Sequence, residues 1–112
     1  MKNDGAAAEQ LVSEYLQRNG LQLIESNFLC RFGEIDLILH DGTTLVFVEV
    51  RLRTNPHFGG AVGSITSAKQ GRIIRAAQIY LQQQSREMAC RFDVVVLDGE
   101  RNIEWIKNAF AT

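Results

Sequence analysis

The sequence predicts an α/β domain with a mixed sheet, and three observations carry that prediction. Apolar residues recur at helical spacing in two segments, around residues 8–16 and 73–81. Short runs rich in Val, Ile, Leu and Phe lie between these segments and after the second, bounded by turn residues as strands are. The second helical segment separates two such runs, a connection long enough to make them parallel neighbours. The order is therefore α-β-β-β-α-β-β, and 112 residues suit one domain with a single core.

Each element has its own signal. Asp4 is placed to cap a first helix that runs to about Asn19, with Gly20 as its stop. Ala8, Leu11, Val12, Tyr15 and Leu16 form its apolar stripe, and Glu9 sits at the stripe's edge. Strands are expected at 21–29, 32–40 and 45–53, with Asp41-Gly42 turning the second into the third. Alternation puts Gly33, Ile35, Leu37 and Leu39 on one side of the second strand and Glu34, Asp36, Ile38 and His40 on the other. The third strand divides into Val46, Val48, Val50 and Leu52 against Leu45, Phe47, Glu49, Arg51 and Arg53. One face is thus wholly apolar and must be covered, while the other is apolar near the turn and charged further away.

Residues 54–64, with Asn55-Pro56 and Gly59-Gly60, read as a polar, glycine-rich loop. A second helix follows from Thr66 or Ser67 to about Gln84, with Ile73, Ala76, Ala77, Tyr80 and Leu81 as its stripe. Lys69 falls in the middle of that stripe, flanked by Arg72 and Arg75. It either snorkels past the sheet edge or serves a site. A fourth strand at 91–98 contains Phe92 and the run Val94 to Leu97, and Asp98-Gly99 turns into a short last strand near 102–107.

Composition excludes several classes. At 46% hydrophobic and 22% charged the chain is an ordinary globular one, with no apolar stretch long enough for a bilayer and no signal-peptide core at its start. Cys30 and Cys90 lack metal-ligand spacing, which argues against zinc or a disulfide framework and for a reduced, cytoplasmic setting. A net charge of −1 does not mark a dedicated nucleic-acid binder. Yet from Val50 through Arg86 there is no Asp or Glu, while Arg51, Arg53, Lys69, Arg72, Arg75 and Arg86 all lie there. Such a stretch makes either a local positive surface or a solvated helix face and loop.

The candidate chemistry rests on Asp36 and Glu49, acids inside apolar strand runs. That placement is costly unless the groups are solvated, paired or bound to a cation. Register decides whether they meet. A two-residue loop would set Asp36 diagonal to Glu49, a four-residue loop would set it directly opposite, and both keep the acids on one face. A three-residue loop would separate them, and an even loop is expected. His40 and His57 are expected to be solvated, because no nucleophile or orienting acid stands at a recognisable spacing.

Glu9 on the first helix, Gly33-Glu34-Ile35-Asp36, and Val48-Glu49-Val50-Arg51 together resemble the PD-(D/E)xK nuclease pattern. The nearer resemblance is to the YraN-like family of uncharacterised bacterial proteins, itself similar to archaeal Holliday-junction resolvases. It spans nearly the whole chain, including Lys69 with Arg72 and Arg91-Phe92-Asp93-Val94. The resemblance implies a restriction-endonuclease-like αβββαβ core and a single nuclease-like domain over 1–112. It further implies Mg²⁺ or Mn²⁺ held by Asp36, Glu49 and the Val50 carbonyl, with Glu9 as a further or water-mediated ligand. The pattern normally ends in lysine, and here that position is Arg51, which stays protonated and is a poor proton acceptor. Lys69 is the candidate to supply the missing ammonium.

Three functions follow as expectations. The first is a metal-dependent endonuclease or resolvase-like hydrolase acting on DNA phosphodiesters, branched DNA included. In the second, catalysis is lost and a nucleic-acid-binding module remains, working through Arg51, Arg53, Lys69, Arg72 and Arg75. The third is a protein-interaction domain in which the sheet face or an edge strand pairs two protomers as a homodimer.

Overall fold

The computed structural model describes residues 4–53 and 65–111. The glycine-rich loop expected at 54–64, with His57, lies outside the described residues, as does the side chain of Asp4. The elements are α1 (Asp4–Arg18), β1 (Gln22–Cys30), β2 (Gly33–Asp41), β3 (Thr44–Arg53), α2 (Ser67–Gln82), β4 (Cys90–Asp98) and β5 (Ile103–Phe110). They match the predicted order, and β5 alone runs appreciably longer than its apolar residues suggested. The five strands form one sheet in the order β1-β2-β3-β4-β5. The β3–β4 pair is parallel across the α2 crossover, and the other three pairs are antiparallel.

Helix α1 begins with an alanine-rich turn, which favours the helical state. It ends where Gly20 takes φ +96°, with the Gly20 N–H donating to the Gln17 carbonyl and the Leu21 N–H to that of Leu16. This is the paired arrangement by which a left-handed glycine satisfies the last carbonyls of a helix. Leu16 and Leu21 are both buried in the same cluster, so the turn also directs the chain into β1. Helix α2 starts at Thr66, whose hydroxyl accepts the Lys69 N–H at 3.1 Å.

The two helices cover opposite faces of the sheet. Val12 and Leu16 of α1 pack on Leu37, Leu39, Val46, Val48 and Val95. Ile73, Ala76, Ala77 and Tyr80 of α2 pack on Ile38, Leu45, Phe47 and Phe92. The face expected to be wholly apolar is thus the one under α1, and β3 is sandwiched between both helices. Ile35 breaks the alternation by joining the α2 cluster. The pairing of β2 with β3 stops at Leu37↔Val48, so residues before Asp36 no longer take their orientation from β3. No helix among the described residues is long and apolar enough to cross a membrane.

A second acid is buried in this sheet and has a structural role. Asp93 on β4 is fully buried, and its carboxylate accepts from Arg91 Nε at 3.0 Å, Trp105 Nε1 at 2.9 Å and the Asn108 N–H at 2.9 Å. Asn108 has φ +53°, next to the irregularity where the β4–β5 register shifts between Phe92 and Val94. The acid therefore satisfies donors that the bulge removes from the ladder. Arg91 extends the network to Asp41 at 3.0 Å, tying β4 to the β2–β3 turn.

Replacing Asp93 by Ala strands several buried donors and is expected to cost about 3 kcal/mol in urea unfolding. Trp105→Phe, which removes one of those donors, should cost about 1 kcal/mol.

Candidate functional site

The site forms where β2 and β3 part. Their pairing runs from Asp41↔Thr44 through His40↔Leu45 to Leu37↔Val48, so only Gly42 and Thr43 lie in the turn. Gly42 has φ +62°, a conformation such tight turns require. This is the register of the longer even loop, and its continuation sets Asp36 opposite Glu49. The ladder ends there instead. The Val50 N–H donates to Asp36 Oδ2 at 2.8 Å, a bond that a facing carbonyl would otherwise accept. In an extended strand the N–H and C=O of one residue leave on the same side, so the Val50 carbonyl shares that gap.

A cavity of about 170 Å³ occupies the opening, lined by Gly33, Glu34, Asp36, Glu49, Lys69, Arg72 and Ile73. Glu49 is 5% exposed and Asp36 is half-buried. Burial first, and then the facing Glu49, push the Asp36 carboxyl from its ordinary 3.8 up to about 8. Glu9 and Glu34 push in the same direction, and only the Val50 N–H opposes them. Two acids brought together, one of them with its pKa raised by the other, form a site that a bound cation would stabilise. Among the described residues no three or more His, Cys, Asp or Glu side chains converge as a metal cage. The donors on offer are two carboxylates and one carbonyl. Those hard oxygens suit Mg²⁺, which keeps several waters rather than filling its shell from protein. On donor chemistry the residues fit the ion.

The basic candidates divide. Lys69 reaches in from the first turn of α2 and sets its Nζ 3.0 Å from Glu49 Oε2. Arg51 stands on the same strand as Glu49, with Nη1 at 3.5 Å from the same oxygen, at the outer limit of a hydrogen bond. The closer partner of the buried acid is therefore the helix lysine, not the residue at the motif position. Arg72 lines the cavity. Arg75 does not; its guanidinium lies 5.9 Å from the centre of the Phe32 ring. Arg53 is drawn away to the far edge of the sheet, where it pairs with Glu104 of β5 at 2.9 Å.

Glu9 stands apart from the cavity. Its carboxylate accepts from Asn27 Nδ2 at 2.8 Å, and it lines a separate hollow between α1 and β1 with Ser13, Leu23, Ser26 and Leu37. It still acts on Asp36 through its charge. Asn27 is one of the residues that sequence reasoning missed. It has φ +55° inside β1, a conformation asparagine tolerates better than most, and that twist presents its amide to Glu9. An asparagine in the middle of a strand run was the available signal. His40 also departs from expectation: it is half-buried, and its Nδ1 has no hydrogen-bond partner among the described residues.

A family model described as "Uncharacterised protein family UPF0102" matches residues 8–97. Similar chains carry the name UPF0102 protein. One from Nitrosomonas eutropha is 55% identical over 109 residues, covering 97% of this chain and 94% of the relative. One from Janthinobacterium sp. (strain Marseille) is 55% identical over 105 residues, covering 94% and 85%. One from Nitrosospira multiformis is 54% identical over 108 residues, covering 95% and 91%. These matches agree with the resemblance to the YraN-like family.

The raised Asp36 pKa has a signed consequence for stability. The folded state holds this proton more tightly than the unfolded one, so its contribution is complete below pH 3.8 and is lost as pH rises towards about 8. In chelator, Asp36→Asn keeps an acceptor for Val50 and removes the charge. Denaturant titration is expected to find it more stable than the parent at pH 8 by about 2 kcal/mol, discounted for partial solvation, with the gap closing towards pH 4.

Proposed function

The chain belongs to the uncharacterised family UPF0102, and we propose that this member is a metal-dependent, endonuclease-like hydrolase of DNA phosphodiesters. The observation that carries this reading is the convergence of Asp36, Glu49 and Lys69 on one cavity. There burial and then the facing Glu49 push the Asp36 carboxyl up to about 8. Asp36, Glu49 and the Val50 carbonyl would hold Mg²⁺ or Mn²⁺. When bound, the ion supplies an activated water and neutralises charge on the phosphoryl group.

The remaining work falls to this chain's own side chains. Lys69, already beside the acids, orients the attacking water and stabilises negative charge where the phosphate enters. Arg51 keeps its proton and clamps a phosphate oxygen through its planar fork, which takes it out of proton transfer. Arg72 at the cavity wall holds the strand by charge. Glu9, outside the cavity, tunes Asp36 electrostatically and is a positioning residue in this reading.

A second reading has its own observation: Glu49 is already engaged by both Lys69 and Arg51. An acid neutralised within the protein has less need of a metal, and this favours a binding module without catalysis.

One experiment separates the two. Flap, duplex and four-way-junction DNA are incubated with the protein and Mg²⁺ or Mn²⁺. Cutting is expected from the parent, with a loss of about 10²-fold or more in Asp36→Asn, Glu49→Gln and Lys69→Ala. Cutting that survives those substitutions would belong to a contaminant and sink the proposal. Salt-dependent binding with no cutting under either metal would leave the binding module standing.

A further inference from the structure

The β1–β2 turn carries a second feature beside the acid cavity. Cys30 pairs with Gly33, so Arg31 and Phe32 form the tip of a two-residue connection. The tip is pressed against α2: a Cβ at Gly33, which has φ +142°, would meet the Arg72 Cβ at 3.9 Å. The Arg31 guanidinium lies 4.9 Å from the Phe32 ring centre and that of Arg75 lies 5.9 Å from it. Arg72 and Arg75 stand three apart on α2, on neighbouring positions of one helical face.

Two exposed guanidiniums, those of Arg31 and Arg75, thus lie against one half-buried ring, and the exposed Arg72 stands beside the same turn. Among the described residues none of Arg31, Arg72 and Arg75 has an ion-pair partner, whereas Arg51, Arg53, Lys69 and Arg91 all do. Glu34, Asp36 and Glu49 line the cavity that Arg72 also lines, but among the described residues none of these acids forms an ion pair with Arg31, Arg72 or Arg75. Like charges brought together without an ion-pair partner repel one another and favour an arriving anion. The ring contact restrains the Arg31 and Arg75 guanidiniums, so these two lose less side-chain freedom when one binds.

Resting on the nuclease reading of the adjacent cavity, we infer that Arg31, Phe32, Arg72 and Arg75 bind a nucleic-acid strand whose bases are unpaired at the point of contact. Guanidinium edges meet phosphates, and the planes of guanidinium and ring take unstacked bases. A duplex offers the phosphates but keeps its bases stacked inside, so it would use only the charge. The cavity then receives the strand next to a flap, gap or junction branch rather than in continuous duplex. Gly33, shared by the turn and the cavity wall, links the two contacts.

The test is fluorescence anisotropy of the full chain, in chelator, with a labelled twelve-nucleotide oligothymidylate and a hairpin duplex of equal charge. The parent is expected to favour the single strand. Phe32→Ala should weaken single-strand binding about tenfold and duplex binding less than twofold, in line with the loss of one stacked base. Arg31→Gln, a surface change that leaves the fold intact, should weaken the single strand about threefold and lower its salt slope by about one unit. Equal losses on both probes, no loss on either, or a parent that binds neither would each overturn the inference. Leaving metal out keeps the two readings apart. A single-strand preference without cutting defeats the nuclease alone, whereas cutting with a duplex preference defeats this inference alone.

Discussion

Asp36 and Glu49 share one corner of the sheet, where burial and the neighbouring acid raise the Asp36 pKa, and the architecture around them holds the two side chains together. The corner is made by ending the β2–β3 ladder one step early. The Asp36 carboxylate takes the Val50 amide, so the strands separate without leaving that donor unsatisfied. Closure of the two sheet faces then limits solvation of the pair. Helix α1 seals one side through Val12 and Leu16, and α2 seals the other through Ile73 and Tyr80.

Comparison with the other buried acid sharpens the point. Asp93 is more deeply buried than Asp36 but accepts from an arginine, an indole and a backbone amide. Asp36 accepts one described hydrogen bond and faces three further acids. A carboxylate saturated with donors is structural; one that is under-supplied and opens onto a cavity has capacity left for a ligand. Burial alone would have grouped the two residues together.

The lysine follows the same logic from the helix side. Arg51 occupies the expected strand position but lies at the limit of contact with Glu49, while Lys69 arrives from α2 at 3.0 Å. Its reach depends on where the helix begins. The Thr66 hydroxyl caps the Lys69 amide and so places that residue in the first turn, above the charged end of β3. The segment without acids thereby delivers a cation to the site, with Arg72 at the cavity wall and Arg75 against Phe32, neither of them ion-paired among the described residues.

The order of elements, the apolar face under α1 and the shared face of the two acids were all legible in the sequence, because hydrophobic period and turn chemistry are local properties. The even register could be argued in the same way, since a slip of one residue would expose an entire strand face. Where long side chains end was a different matter. Nothing local says that Arg53 crosses to Glu104, that Glu9 is held by a twisted Asn27, or that Arg31 and Arg75 meet over Phe32. Those outcomes depend on contacts between residues distant in the chain, and on a strand leaving its ladder at one carboxylate. Sequence period determined which residues share a face; only the folded chain decided which charges on that face find one another.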